Sequence, residues 1–183
     1  TPGKMFVPIR GENTDAHRFI PQVFASGASA TFSEEPLDAP AGDVVYVENT
    51  RAALQKVAER YRERFNIPVI GITGSVGKTT TKELIASVLS QKYDVLKSEG
   101  NLNNQTGVPL TVLRLEAHHG VAVVEMGTNH FGEIRSLAKI VRPELCFLTN
   151  IGEAHIEHLG SKEGILKAKS EMLEYMQPDG HVF

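Results

Sequence analysis

The stretch GITGSVGKTTTKE, residues 71–83, holds the residue types that bind phosphate groups. Gly74 and Gly77 permit tight turns whose backbone N–H groups can face an anion. Lys78 can reach the β- and γ-phosphates of a nucleotide, and Thr79 can ligate Mg²⁺. This spacing predicts a phosphate-binding loop.

The stretch departs from the strict template G-x-x-x-x-G-K-[ST], which requires a glycine where Ile72 stands. An ordinary glycine-rich turn is the alternative interpretation. We favour the phosphate loop because an apolar strand enters the stretch and a helix leaves it, and a helix N-terminus attracts anions. The predicted ATP-binding residues are Thr73, Gly74, Ser75, Val76, Gly77, Lys78, Thr79, Thr80 and, at a later strand end, Asn150.

Other polar residues follow apolar runs that are typical of buried strands. Glu125 ends VAVVE, and His155 comes soon after LCFLTNI. Ligands of open α/β sheets bind beyond the carboxyl ends of the strands, so Glu125 is a candidate catalytic residue. An ion pair with a nearby base is the alternative for Glu125, and an ordinary loop position is the alternative for His155.

Amide side chains are concentrated in the segment GNLNNQTGVP, which contains Asn101, Asn103 and Asn104. A plain turn uses one or two asparagines, so this density predicts a binding surface. His130 lies in another loop after a predicted strand and is a further candidate for substrate contact.

These residues must be positioned by strands and helices that alternate along the chain. Strands are predicted at MFVPI, DVVYVEN, IPVIGIT, GVAVVEM and LCFLTNI, with helices between them and a last helix over SKEGILKAKSEMLEYM. This alternation predicts an α/β fold, a small N-terminal α/β domain followed by part of a parallel-sheet ATPase domain. We place the boundary between residues 1–66 and residues 67–183. The helix over residues 50–65 is predicted to have Thr50 as its N-cap and a solvated charged face that includes Arg62.

Composition limits the possible functions. The hydrophobic content of 41% is that of a globular protein, and the net charge of −3 argues against a nucleic-acid partner. No apolar run is long enough for membrane insertion. The single cysteine, Cys146, excludes a disulfide framework, favours a cytoplasmic location, and is expected to be a buried apolar residue.

Several segments resemble the Mur ligases, the ATP-dependent amide-forming enzymes of peptidoglycan precursor synthesis. The loop TGSVGKTT resembles the whole family. The segments FVPIRGENTDAHRFI, GNLNNQTGVPLTVLRL, VVEMGTNHFGEI and TNIGEAHIEHLGSKEGILKAKSE resemble the branch that adds D-alanyl-D-alanine to UDP-N-acetylmuramoyl-tripeptide.

This resemblance implies ATP and Mg²⁺ as cofactors, those two substrates as partners, and a cytoplasmic monomer. It implies that Thr79, Glu125 and His155 ligate the metal, and that the asparagine segment and His17 contact the UDP-linked substrate. The family has three domains. We expect this chain to hold most of the first and the front half of the second, to lack the C-terminal one, and to be nearly inactive alone.

The resemblance also points to Lys169 as a catalytic and metal-binding residue in carbamylated form. Lys169 follows His155 by fourteen residues, the separation found in other Mur ligases. Lys169 shares a helix face with Ile165 and is expected to point inward, whereas Lys167 does not share that face. A burial-lowered pKa would favour the neutral amine that reacts with CO₂. Pairing of the ammonium with a carboxylate such as Glu125 or Glu171 is the alternative.

Two other functions stay open. The chain could come from another Mur ligase or a folylpolyglutamate synthetase-like ligase, although the asparagine segment and EMGTNHFGEI favour the D-alanyl-D-alanine branch. It could also be a nucleotide-binding module without ligase activity, but the guanine-reading Asn-Lys-x-Asp motif of a GTPase switch is absent from the sequence.

Overall fold

A computed structural model describes residues 2–11, 13–152 and 156–183 of the chain. The chain forms two compact units, Thr1–Leu54 and Gln55–Phe183. Within both units, every pair of neighbouring strands is parallel and helices lie between strands along the chain. The predicted α/β fold is confirmed. The functional boundary between residues 66 and 67 stays a prediction, since the units divide earlier, inside a helix.

The first unit contains a three-stranded sheet in the order β1-β2-β3. Its elements are β1 (Met5–Phe6), a 3-10 helix (Ala16–Phe19), α1 (Ile20–Ala25), β2 (Ala30–Ser33) and β3 (Asp43–Tyr46). Ile20 and Phe24, one turn apart on α1, are buried together with Phe32 of β2. These buried apolar residues belong to the small core of the unit.

Helix α2, Thr50–Arg62, begins in the first unit and ends in the second. The predicted N-cap is wrong by one residue, because the side chain of Asn49 accepts the N–H of Ala52 at 2.8 Å. Thr50 instead donates its N–H and its hydroxyl to the Glu34 carboxylate. A carboxylate at this end of a helix complements the helix dipole.

The second unit is built on a five-stranded sheet in the order β5-β6-β4-β7-β8. Its strands are β4 (Val69–Thr73), β5 (Val95–Lys97), β6 (Val121–Glu125), β7 (Leu145–Leu148) and β8 (His181–Val182). Its helices after α2 are α3 (Lys78–Leu89), α4 (Gly107–Val112), α5 (Glu133–Val141), α6 (Ile156–Leu159), α7 (Lys162–Ser170) and a 3-10 helix (Glu171–Tyr175). The predicted last helix is therefore two elements, and the change in helix type at Glu171 leaves Leu173 exposed.

The two faces of this sheet bury alternate residues of the same strands, as the period of two requires. Val69 of β4 and Val124 of β6 pack on the side of α4 and α5, in a cluster that includes Cys146. Ile72 of β4 and Val123 of β6 pack on the side of α3.

Burial raises the pKa of the Cys146 thiol to about 11, as expected for an unreactive apolar position. No helix within the described ranges is long and apolar enough to span a bilayer.

Arg62, predicted to be solvated, is buried at 8% exposure. Its guanidinium donates to the carbonyl oxygens of Val141 at 3.1 Å, Ile67 at 3.2 Å and Phe65. Arg62 thus joins the end of α5 to the segment that enters β4. Helical periodicity could not reveal this, because Val141 is distant in sequence and Phe65 and Ile67 lie beyond the end of α2.

We expect Arg62→Met to lower the free energy of unfolding by about 2–4 kcal/mol, because the carbonyl groups of one buried and two partly buried hydrogen bonds lose a charged donor. Denaturant unfolding of the chain measures this. Arg60→Met is the matched control, since exposed Arg60 pairs only with Glu63 among the described residues and should cost less than about 1 kcal/mol. Equal losses from the two variants would contradict the role of Arg62.

Candidate active site

The predicted phosphate loop connects β4 to the N-terminus of α3. Gly77 precedes the helix with a φ of 82°, and Gly74 has a φ of 150°, a region that side chains disfavour. A Cβ on Gly74 would stand 1.9 Å from Thr149 Oγ1. Both glycines are therefore required by the shape of the loop.

The segment after β7 holds the loop from the side. The Asn150 Oδ1 accepts the N–H groups of Ser75 at 3.1 Å and Val76 at 3.0 Å. Thr149 Oγ1 donates to the Val76 carbonyl, and the Gly152 N–H donates to Ser75 Oγ. Asn150 therefore supports the loop, and its predicted contact with the nucleotide stays a prediction. The contribution of Thr149 has no signal in the sequence beyond its place beside Asn150.

The lysine of the loop folds back onto the loop itself. Lys78 Nζ donates to the carbonyl of Gly74 at 2.8 Å and more weakly to that of Ser75 at 3.4 Å. The hydroxyl of Thr73 is buried and has no hydrogen-bond partner among the described residues. A free buried hydroxyl, a lysine bound only to carbonyls and a glycine cradle are features that fit phosphate groups.

Glu125 is buried at 1% exposure at the end of β6. Its Oε2 accepts the Thr79 hydroxyl at 2.9 Å, and its Oε1 accepts the Asn103 amide at 2.8 Å. Glu125 thus stands between the phosphate loop and the asparagine segment. An ion pair with a base, the alternative interpretation, is not observed in the described part of the chain. The oxygens of Glu125 and Thr79 are of the type that Mg²⁺ prefers.

The predicted metal ligand His155 lies outside the described residues. Within those residues, no three His, Cys, Asp or Glu side chains form a group that could hold a metal ion. His155 therefore stays a prediction, and so does the full metal site.

Lys169 points inward as predicted, and its side chain is 2% exposed, whereas Lys162 and Lys167 are exposed. Burial, with a smaller effect of Lys78, lowers the pKa of Lys169 to about 8. Among the described residues, Lys169 forms no ion pair. The carboxylates considered as its partners are used elsewhere. Glu125 binds Thr79 and Asn103, and Glu171 binds backbone N–H groups.

Lys78 and Lys169 line one cavity of about 340 Å³ with the asparagine segment. The remaining lining residues are Asn101, Asn103, Asn104, Gln105, Gly127, Thr128, Asn129 and Glu133. The three predicted asparagines have different contacts. Asn103 binds Glu125, whereas Asn104 accepts the N–H groups of Thr106 and Gly107 at the start of α4.

Two glutamates, neither of which the sequence had linked to this loop, hold the loop after β6. Glu133 accepts the N–H groups of Asn129 and His130, and Glu171 accepts the N–H of Gly132. The ring of His130 packs against the ring of His158 in a tilted arrangement, with 4.7 Å between the centroids, and His130 is not among the residues lining the cavity. Its predicted contact with substrate stays a prediction.

His17 belongs to the first unit, and both of its ring nitrogens are engaged there. Nδ1 lies 2.6 Å from Asp15 Oδ1, and Nε2 is 3.3 Å from the Glu34 N–H. Because a backbone N–H can only donate, Nε2 accepts and the ring proton resides on Nδ1. His17 thus supports its own turn, and its contact with substrate remains a prediction.

A parallel sheet whose first strand leads through a glycine-rich loop into a helix, with Glu125 and Lys169 nearby, defines a P-loop-type α/β protein. The protein-family model described as the Mur ligase middle domain matches residues 72–183 of the chain. The chain belongs to the Mur ligase family.

Relatives and solved structures agree with this family. The chain is 47% identical over 179 residues to a UDP-N-acetylmuramoyl-tripeptide–D-alanyl-D-alanine ligase of Synechocystis, covering 97% of the chain and 39% of that protein. It is 42% identical to the enzyme of the same name from Escherichia coli, covering 98% of the chain and 40% of that protein.

A crystal structure of MurF from Acinetobacter baumannii matches with a TM-score of 0.95 and 42% identity, over 99% of the chain and 40% of that structure. MurF from Thermotoga maritima in complex with ADP matches with a TM-score of 0.92 and 34% identity, over 99% of the chain and 42% of that structure. The chain spans about two fifths of the length of these relatives.

We expect Gly74→Ala to destabilise the unit by about 2–4 kcal/mol, through both the clash with Thr149 and the disfavoured φ. Gly132→Ala is the control. Gly132 also has a positive φ, of 83°, but open space around it, and should cost about 1 kcal/mol. Thermal unfolding compares the two, and a Gly74→Ala cost no larger than the control would exclude the close approach of Thr149.

Proposed function

We propose that this chain forms the nucleotide-binding part of an ATP-dependent amide ligase that adds D-alanyl-D-alanine to UDP-N-acetylmuramoyl-tripeptide in peptidoglycan synthesis. The observation that carries the proposal is the cavity where Lys78, Lys169 and the asparagine segment meet, beside the carboxylate of Glu125. The names of the relatives agree with it.

In water, a carboxylate does not react with an amine to form an amide, so the reaction must first activate the carboxylate. The tripeptide carboxylate attacks the γ-phosphorus of ATP, the bond to the β,γ-bridging oxygen breaks, and an acyl phosphate and ADP form. The amine of D-alanyl-D-alanine then attacks the acyl carbon, loses a proton, and phosphate leaves. The protein must align two anions and balance the charge on the transferred phosphoryl group.

The residues of the cavity suit these tasks. The loop N–H groups, the N-terminus of α3 and Lys78 bind the phosphates, for which Lys78 must leave the Gly74 carbonyl. Thr79, Glu125, His155 and carbamylated Lys169 would hold Mg²⁺, which supplies charge neutralisation at the phosphates. Asn101 and Asn103 offer amide groups to the UDP-linked substrate, with His130 and His17 as further contacts.

A cytoplasmic location and a monomeric state belong to the same proposal. Both substrates are highly polar, which agrees with an enzyme that works in water rather than in a lipid phase. Sedimentation of the purified full-length protein checks the monomeric state.

In the full-length parent protein, we expect Lys78→Ala to lower kcat by about 10²–10³ while the protein stays folded, because one preorganised positive group is lost. The assay measures the ADP and UDP-muramoyl-pentapeptide that form. Product formation only when UDP-muramoyl-dipeptide replaces the tripeptide, or when a free amino acid replaces D-alanyl-D-alanine, would favour another Mur ligase or a folylpolyglutamate synthetase-like enzyme. ATP binding without any product would favour a plain nucleotide-binding module.

We expect Lys169 to be carbamylated, since its low pKa and buried position favour reaction of the neutral amine with CO₂, which releases one proton. At a fixed CO₂ pressure, the ratio of carbamate to unmodified lysine should rise about a hundredfold for each pH unit below about pH 8, where conversion of the ammonium releases two protons, and about tenfold for each unit above it, where the neutral amine releases one. Nuclear magnetic resonance with ¹³C-labelled CO₂ measures this.

Lys169→Ala in the full-length protein should lose activity and regain part of it with acetate or formate, which replace the carbamate oxygens. Lys167→Ala is the matched control, because Lys167 is an exposed lysine of the same helix. A fully active Lys169→Ala enzyme, or a ¹³C signal that persists in it, would contradict carbamylation at this residue.

A further inference from the structure

A second lysine of α3 is enclosed more completely than Lys169. The side chain of Lys82 is 0% exposed, one helical turn after Lys78. Its Nζ lies 3.4 Å from the carbonyl oxygen of Gly100 and 3.1 Å from Glu83 Oε1. Burying an ammonium is costly, and an apolar side chain of the same length would fill this space without that cost. The presence of a lysine here therefore calls for a role for its charge.

The carbonyl that Lys82 binds stands where the asparagine segment begins. Gly100 has a φ of 51° and immediately precedes Asn101. The segment has no strand or helix of its own up to α4, and its internal hydrogen bonds are short-range. Leu102 N–H donates to the Glu99 carbonyl, and Asn103 N–H donates to the Asn101 carbonyl. A segment held this way depends on contacts with its neighbours for a single conformation.

The other end of this segment is held by Glu125. The Asn103 amide donates to Glu125, which also accepts the hydroxyl of Thr79 at the start of α3. Helix α3 is thus linked to the segment twice, directly through Lys82 at Gly100 and indirectly through Thr79 and Glu125 at Asn103. Positions 78 and 82 lie on one face of the helix, so the same face serves the phosphate loop and the asparagine segment.

We propose that Lys82 is a positioning residue, whose ammonium holds the Gly100 carbonyl and thereby places Asn101 and Asn103 at the cavity for the UDP-linked substrate. Only the identity of that substrate rests on the proposed function. The positioning itself does not. Lys82 acts through the segment and, being enclosed, touches neither substrate nor nucleotide.

Hydrogen exchange of the chain tests the positioning directly. We expect Lys82→Met, which keeps the length of the side chain without its charge, to speed exchange of the Leu102 and Asn103 amides about tenfold, with the amides of β6 unchanged. Lys97→Met is the matched control. Lys97 pairs with the same Glu83 but is 43% exposed and has no contact with Gly100 among the described residues. The control should leave both amides as they are.

Uniformly faster exchange across the second unit, or no change at Leu102 and Asn103, would overturn the proposal in favour of a general stabilising role. If Lys82→Met does not fold, amide exchange is measured instead in Lys82→Gln, whose shorter side chain carries no charge. The same changes at Leu102 and Asn103 then support or overturn the proposal.

Kinetics of the full-length protein give the functional consequence. Lys82→Met should raise KM for the UDP-linked substrate about tenfold and leave KM for ATP and the thermal midpoint nearly unchanged. Equal changes in both KM values would overturn the assignment to the substrate segment. A wild-type protein that forms no product would contradict the proposed function alone, since the exchange comparison still decides the role of Lys82.

Discussion

The parallel register of three central strands is the constraint on which the rest of the site depends. Ile72 of β4 stands beside Glu125 of β6, and Thr73 of β4 stands beside Leu148 of β7. Because the strands run in one direction, their carboxyl ends meet at one edge, and the three loops that follow them share that edge. A shift of one residue in β6 would turn the Glu125 side chain to the other face of the sheet.

Charge is distributed unevenly at this edge. Lys82 is buried with a carbonyl and a carboxylate as partners, whereas Lys169 is buried with Lys78 as its main charged neighbour. The nearest acids are occupied by hydroxyl, amide and backbone N–H donors. Lys78 and Lys169 therefore line the cavity without an ion-pair partner among the described residues. A ligand with several negative charges, such as a nucleoside triphosphate, would supply such a partner.

Sequence patterns predicted those features that residues close together in the sequence determine. The apolar runs of β4 and β6, the glycine loop and the inward direction of Lys169 follow from periodicity and from the residue types. The burial of Arg62 and Lys82 could not be predicted, since it depends on contacts with other elements, Val141 for Arg62 and Gly100 for Lys82. Strand β5 and helix α4 were missed because three and six residues carry too little periodicity, and their conformation depends on β6 and α5.

The state of Lys169 links the two charged ligands of the proposed reaction. An anion in the cavity favours the ammonium form and so raises the pKa of Lys169, which opposes carbamylation. A divalent cation favours the carbamate, because the carbamate brings negative charge and two oxygen ligands. By linkage, each ligand changes the affinity for the other through the protonation of this one residue. In the proposed site, ATP that arrives with Mg²⁺ would satisfy both demands, since the cation would favour the carbamate while Lys78 exchanges the Gly74 carbonyl for phosphate. Free ATP, in contrast, would oppose the carbamylation expected at Lys169.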